Sequence, residues 1–222
     1  MIRAVLFDLD GTLYDRDAAM IELAHDQFIA FRDRMPGVDE RRFFNRFLAL
    51  DDHGYTSRSD LYLRLADELG LDNTLAVDLE QHFWEAYARR CEVSPDTWTT
   101  LRTLRSSGKK LGVITNGQTT WQLRKMEGLG LGDFFDVVLV SEAVGIKKPD
   151  PRIFHHGVEQ CGVAPDEAMF VGDHPEIDVE GAKAAGLAAV WKRVPYWTLN
   201  DDEVLVVDRL SELLDDRHEL LR

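Results

Sequence analysis

The stretch Val5-Leu6-Phe7-Asp8-Leu9-Asp10-Gly11-Thr12-Leu13 places the tightest limits on what this chain can fold into. Ala4 to Phe7 is a short apolar run, the pattern of a strand buried on both faces of a parallel sheet. It runs straight into two carboxylates one residue apart, then into Gly-Thr, which turns the chain. In a continuing strand Asp8 and Asp10 project to the same side, with Leu9 opposite. Two like charges that close at a buried strand end are costly unless a cation or a shared proton relieves them. The segment reads as the edge of an active site.

From residue 14 to about 94 the pattern is helical. Ile21, Ala24, Phe28 and Phe31 recur at spacings of three and four, an amphipathic stripe that Pro36-Gly37 ends. Phe43, Phe47 and Leu50 form a second stripe, closed by Asp51-Asp52-His53-Gly54-Tyr55. Leu61, Leu65 and Leu69 form a third, with Gly70 as its stop. Leu79, Phe83 and Tyr87 form a fourth before Ser94-Pro95. Four helices inserted directly after a catalytic-looking strand predict a separate all-helical cap domain, residues 15–94, whose aromatics make its own core.

Strand and helix then alternate. A helix over 96–107 ends at Gly108, and strand 111–114 follows. A helix beginning near Thr119, strand 137–140, a helix over 152–161 and strand 168–171 come next. A small-residue helix near 179–185, strand 188–191, a last strand 204–207 and a terminal helix finish the chain. Repeated βα units imply the α/β class: a mostly parallel sheet with right-handed crossovers, flanked by helices, built from residues 1–14 and 95–222.

The loops after these strands carry the polar groups, where ligands bind in open α/β sheets. Thr115-Asn116-Gly117 offers a hydroxyl and backbone N–H groups to an anion. Lys147-Lys148-Pro149-Asp150-Pro151 brings positive charge. Successive side chains of an extended loop point to different sides, so one of the two lysines faces the site. Pro149 restricts Lys148 to extended geometry, and Asp150 is close enough to orient it. Gly172-Asp173 with Asp178 sets two carboxylates around one turn, which suits a hard cation or, for an Asp alone, a helix N-cap.

The chain's 222 residues suffice for a well-buried core. A formal net charge of −14 argues against nucleic acid, whose binding rests on Lys and Arg neutralising phosphates. The same charge repels a phosphorylated small molecule at long range, so such a substrate needs local positive charge from a metal ion and a lysine. No stretch approaches the roughly 18 apolar residues of a membrane span, and the N-terminus passes directly into a strand, so neither span nor signal peptide is expected. Cys91 and Cys161 are too few and too isolated for a disulfide framework or a zinc site. A cytoplasmic protein, monomeric or a weak homodimer, is the expectation.

Phe7-Asp8-Leu9-Asp10-Gly11-Thr12-Leu13 resembles the first motif of the haloacid-dehalogenase-like hydrolases, most of which are magnesium-dependent phosphatases working through an aspartyl-phosphate. Val113-Ile114-Thr115-Asn116-Gly117 is similar to the second motif and Lys148-Pro149-Asp150-Pro151-Arg152-Ile153-Phe154 to the third. Gly172-Asp173, four residues and Asp178 are similar to the fourth, so the set spans residues 5–178. Lys148, next to Pro149, matches the third motif better than Lys147. The resemblance implies a Rossmann-like core with a helical cap between the first two motifs, as in subfamily I.

It also implies roles. Asp8 attacks phosphorus in line, and Asp10 protonates the leaving oxygen and then takes a proton from water. That switch calls for an Asp10 pKa above its ordinary value, which neighbouring carboxylates would supply. Mg2+ is held by Asp8, Asp173 and the Asp10 backbone carbonyl, with Asp178 acting through water or as an orienter. Thr115, Asn116 and Lys148 hold the phosphate oxygens. The substrate implied is a small phosphorylated metabolite, hydrolysed as a phosphoric monoester. Three other readings share the fold. A 2-haloacid dehalogenase uses the same nucleophile, but the resembling enzymes lack a carboxylate at the position of Asp10. A phosphomutase keeps both aspartates and differs in its cap. A non-catalytic regulatory relative has no need of an intact Asp8, Asp10, Thr115, Lys148 and Asp173. Tyr14, His53, Tyr55 and Arg58 lie at the ends and loops of the cap and are the substrate-facing candidates, and no cap motif names a particular metabolite.

Overall fold

The computed structural model describes residues 1–215. Six strands, β1 (Ala4–Phe7), β2 (Lys110–Thr115), β3 (Val137–Val140), β4 (Ala168–Gly172), β5 (Ala188–Lys192) and β6 (Leu205–Val207), form one sheet in the order β3-β2-β1-β4-β5-β6. Every neighbouring pair is parallel. This is an α/β, Rossmann-like arrangement, whose strand order reverses direction beside β1. β1 is buried along its whole length, as its continuous apolar run requires. Phe7 lies opposite Val113 of β2 on one side and Val171 of β4 on the other, so Asp8 leaves the sheet from its centre.

Between β1 and β2 the chain is helical: α1 (Arg16–Phe31), α2 (Glu40–Asp51), α3 (Arg58–Leu69) and α4 (Asn73–Ala86). Asp39, Ser57 and Asp72 N-cap the last three through their side chains, supplying acceptors for otherwise unpaired N–H groups. Phe43, Phe47, Tyr62, Phe83 and Tyr87 pack ring against ring within this helical unit. The stripe on α1 differs from expectation. Met20, Leu23, Ala24 and Gln27 are buried, while Ile21 is 44% exposed. Gln27 displaces an apolar residue because its amide is satisfied, donating to the Tyr62 hydroxyl and the Leu79 carbonyl, each at 2.8 Å.

The later helices are α5 (Pro95–Ser106), α6 (Thr119–Gly128), α7 (Ser141–Val144), α8 (Pro151–Cys161) and α9 (Gly181–Ala184). Asp150 caps α8 and Pro151 opens it. Ile153, Phe154 and Val158 of α8 join Leu6, Ile114, Leu139 and Phe170 of the strands in one core, with Phe154 edge-on to Phe170. The small-residue helix expected near 179–185 is the short α9, and a π-helical turn, Pro175–Glu180, runs into it in place of its first turn. A short 3-10 helix, Leu210–Leu214, follows β6, and the remainder of the expected terminal helix lies outside the described residues. The chain divides into two compact units, Arg16–Glu92 and Met1–Asp15 with the chain from Val93 onward.

Candidate active site

Asp8 follows the last residue of β1, and its backbone N–H donates to the Val171 carbonyl at 2.9 Å, which ties the β1 terminus to β4. Asp173 follows β4. Gly11 has φ +84°, and a Cβ there would lie 2.7 Å from an Asp173 carboxylate oxygen, so glycine lets the turn pass close to that carboxylate. Asp178 enters from the π-helical turn and accepts the His174 backbone N–H at 3.0 Å. His174 Nδ1 in turn accepts the backbone N–H groups of Glu176 and Ile177, which fixes the turn that carries Asp178. Trp191 of β5 donates its indole N–H to the Asp173 carbonyl at 2.7 Å.

Lys148, from the loop before α8, is 3% exposed, while Lys147 is exposed. The Lys148 ammonium lies 2.5 Å from Asp8 Oδ1 and 2.7 Å from Asp178 Oδ1. Burial alone would favour the neutral amine, but Asp178 and Asp8 outweigh it and keep the group charged. Burial pushes the Asp8 carboxyl up, Lys148 pulls it down and Asp178 and Asp10 push it up again, to about 7. Burial, with Asp8 and Asp178 beside it, pushes Asp173 up to about 9. Oxygens of Asp8, Asp173 and Asp178 all lie within 4.8 Å of one another. Fully ionised, three carboxylates against one ammonium would leave an excess of two negative charges, which is what holds the Asp8 and Asp173 carboxyls up. An all-oxygen donor set suits a hard divalent cation that can take the place of their protons.

Asp10 sits apart from that cluster, with a side chain 24% exposed. Lys125 of α6 places its ammonium 2.5 Å from Oδ1 and 2.6 Å from Oδ2. Tyr14 donates its hydroxyl to Oδ1, and Gln122 of α6 donates to Oδ2 at 2.9 Å. Here the sequence expectation is overturned. Burial would raise the Asp10 carboxyl, but the Lys125 ammonium and the hydrogen bonds from Lys125, Tyr14 and Gln122 hold it well below the usual carboxylate range. A carboxylate that accepts this many donors is stabilised in its charged form.

Thr115, at the end of β2, is buried, and its hydroxyl oxygen lies 2.5 Å from the Gln122 amide nitrogen. The Asn116 side chain clamps the Lys148 main chain, donating to its carbonyl at 3.0 Å and accepting its N–H at 2.9 Å. Any contact of Asn116 with an anion therefore falls to its backbone. Asp150 accepts from Arg152 as the cap of α8 and does not orient Lys148. Among the cap candidates, Tyr14 turns to Asp10, and Arg58 pairs with the buried Asp51 at 2.6 Å and lies over Phe83. His53 occupies a left-handed turn with φ 52°, and Tyr55 is 55% exposed. Sequence reasoning missed Gln122 and Lys125. Their signal was a polar pair at i, i+3 on a helix that opens directly after Thr115-Asn116-Gly117.

Residues 2–186 match the haloacid dehalogenase-like hydrolase family. The chain is 33% identical to a glyceraldehyde 3-phosphate phosphatase of Methanopyrus kandleri over 235 residues, covering all of both chains. Its fold is similar to the crystal structure of a HAD phosphatase from Thermococcus onnurineus, with TM-score 0.68, 33% identity and 96% of each chain covered. It is also similar to a 2-haloacid dehalogenase of Pseudomonas syringae pv. Tomato, with TM-score 0.64, 29% identity and 100% and 98% of the two chains covered.

Proposed function

The chain belongs to the haloacid dehalogenase-like hydrolases, and from that premise we propose that it is a phosphatase cleaving small phosphate monoesters through an aspartyl-phosphate on Asp8. The observation that carries this reading is the second carboxylate, Asp10, held by Tyr14, Gln122 and Lys125 beside the nucleophile's strand end. A halide leaves carbon as a stable anion and needs no proton. An ester oxygen leaving phosphorus does, and Asp10 is the group to give it.

In the first step an Asp8 oxygen bonds to phosphorus and the ester P–O bond breaks, with the departing oxygen taking a proton at Asp10. In the second, water bonds to phosphorus, its proton passes to the Asp10 carboxylate and the Asp8–phosphorus bond breaks, returning Asp8 and releasing phosphate. As arranged here Asp10 is a carboxylate, the form the second step uses, so a proton must reach it before the first. The Lys148 ammonium, close to Asp8, would hold a phosphoryl oxygen and offset its growing charge, together with the Thr115 hydroxyl and the backbone at Asn116.

Asp8 and Asp173 would hold Mg2+ with the Asp10 backbone carbonyl, while Asp178, already bonded to Lys148 and the His174 N–H, orients them. When bound, the ion neutralises the excess carboxylate charge and polarises a phosphoryl oxygen. The substrate is a small phosphorylated metabolite. Two buried cysteines in no disulfide among the described residues and the net charge of −14 accord with a cytoplasmic monomer or weak homodimer. Assaying a panel of phosphorylated metabolites and 2-haloacids with Mg2+ tests the proposal. Inorganic phosphate released from one or more esters, without halide release, is the expected outcome. Halide release with every ester untouched would overturn it.

A further inference from the structure

Lysine is buried almost only when it is paired, and a buried glutamine needs partners for both ends of its amide. Lys125 and Gln122 are both buried, three residues apart on α6, and both spend their polar heads on one carboxylate. The Lys125 ammonium straddles the two Asp10 oxygens at 2.5 and 2.6 Å. The Gln122 amide nitrogen donates to Asp10 Oδ2 at 2.9 Å and also faces the Thr115 hydroxyl at 2.5 Å and the Asn116 carbonyl at 3.1 Å. Gly117 keeps this space open. With φ +146°, it would bring a Cβ 3.1 Å from the Gln122 side chain if it were any other residue.

We infer that Lys125 is a positioning residue for proton transfer at Asp10, and that Gln122 links the same carboxylate to the phosphate-binding hydroxyl of Thr115. The inference rests on the assignment of Asp10 as the proton-transfer group. Asp10 lies beyond the last residue of β1, on a glycine turn, and its side chain is part-exposed. Without an anchor its χ1 and χ2 are free to turn the carboxylate away from the ester oxygen. An ammonium bonded to both oxygens fixes the carboxylate plane, and a misplacement of about 1 Å in such a group can cost on the order of a hundredfold in rate. Tyr14 supports one edge of the carboxylate and Gln122 the other, so proton delivery and phosphate binding share one hydrogen-bonded frame.

The test is a double-mutant cycle of Asp10→Asn, Lys125→Met and the double variant. It is read as kcat and KM for an alkyl phosphate and as the burst of phenol release from an activated aryl phosphate, all with Mg2+ present. Lys125→Met is expected to lower kcat for the alkyl ester about tenfold or more, the loss of one charge-assisted hydrogen bond, with KM little changed. The aryl burst should suffer less, because that leaving group needs little acid. In the Asp10→Asn background the same substitution is expected to cost nothing further, since its effect runs through the missing carboxylate. Lys125→Arg keeps the cation on a different head and should recover part of the loss. If Lys125→Met does not fold, the cycle is run with Lys125→Arg. Equal cost with and without Asp10, equal cost on both esters, or a faster alkyl turnover overturns the inference. Undiminished alkyl turnover by Asp10→Asn overturns instead the assignment on which it rests.

Discussion

Without the Lys148 ammonium, Asp8 and Asp178 would be left as buried carboxylates facing the space it fills. A charge-assisted contact of this kind contributes roughly 1.5 to 3 kcal/mol, or about ten- to a hundredfold in rate. Lys148→Ala is therefore expected to lower kcat/KM by at least that factor, whereas Lys147→Ala, which removes an exposed side chain, costs a small factor. Steady-state kinetics on both variants with one phosphate ester decides, and a crippled Lys147→Ala with a healthy Lys148→Ala contradicts the placement. The positions of Asp8, Asp10, Thr115 and Asp173 at or just beyond strand ends were legible because each belongs to a local motif that closes a strand, and the Lys148 motif was legible as the loop before α8. The order of the two lysines was only half legible, through Pro149. The partner of Asp10 was not legible: Lys125 lies 115 residues away, and its pairing is set by where α6 packs. Hence the direction of the Asp10 shift was read the wrong way, from neighbouring carboxylates and not from an unseen cation.

At the scale of elements, the turn after β4 carries two carboxylates with different surroundings. Asp173 faces Asp8 in the acidic cluster, while Asp178 is committed to Lys148 at 2.7 Å and to the His174 N–H at 3.0 Å. Asp173→Ala is expected to weaken apparent Mg2+ affinity strongly, and Asp178→Ala less so but with a larger fall in melting temperature. Mg2+ titrations of activity alongside thermal melts check both, and the reverse order of affinities means the two roles have been exchanged. Helices and strands were legible where their periodicity was strong: the stripes through Phe43, Phe47 and Leu50 and through Leu61, Leu65 and Leu69 are buried as read. The stripe on α1 holds at Ala24 and Phe28 but was misread at Ile21 and at Gln27, because hydropathy cannot foresee that Gln27 is satisfied by Tyr62 and Leu79. The π-helical turn at Pro175–Glu180 escaped for a related reason, since its shape follows from His174 capping its first N–H groups.

For the whole molecule, the site's charge couples folding to pH and metal. Asp8 and Asp173 carry carboxyls raised from 3.8 to about 7 and about 9, chiefly by burial. A raised carboxyl contributes stability that is present below its unfolded pKa and lost as pH climbs toward the folded one. The metal-free protein should therefore lose stability between about pH 4 and about pH 9. Mg2+ competes with those protons, so the gap in melting temperature between Mg2+ and chelator should widen from about pH 6 to about pH 9. A gap that narrows over that range contradicts the assignment of these carboxylates. The sheet itself was the most legible feature, because alternating βα units leave few alternatives to a parallel sheet. Its central strand puts Asp8 at the point where the strand order reverses. The covalent role of Asp8 is the claim on which the rest depends, and turnover by Asp8→Asn tests it most directly. With the amide shown intact by mass spectrometry and the fold retained, the variant is expected to form no phosphate above the uncatalysed rate. Sustained multiple turnover by that intact variant would contradict the account.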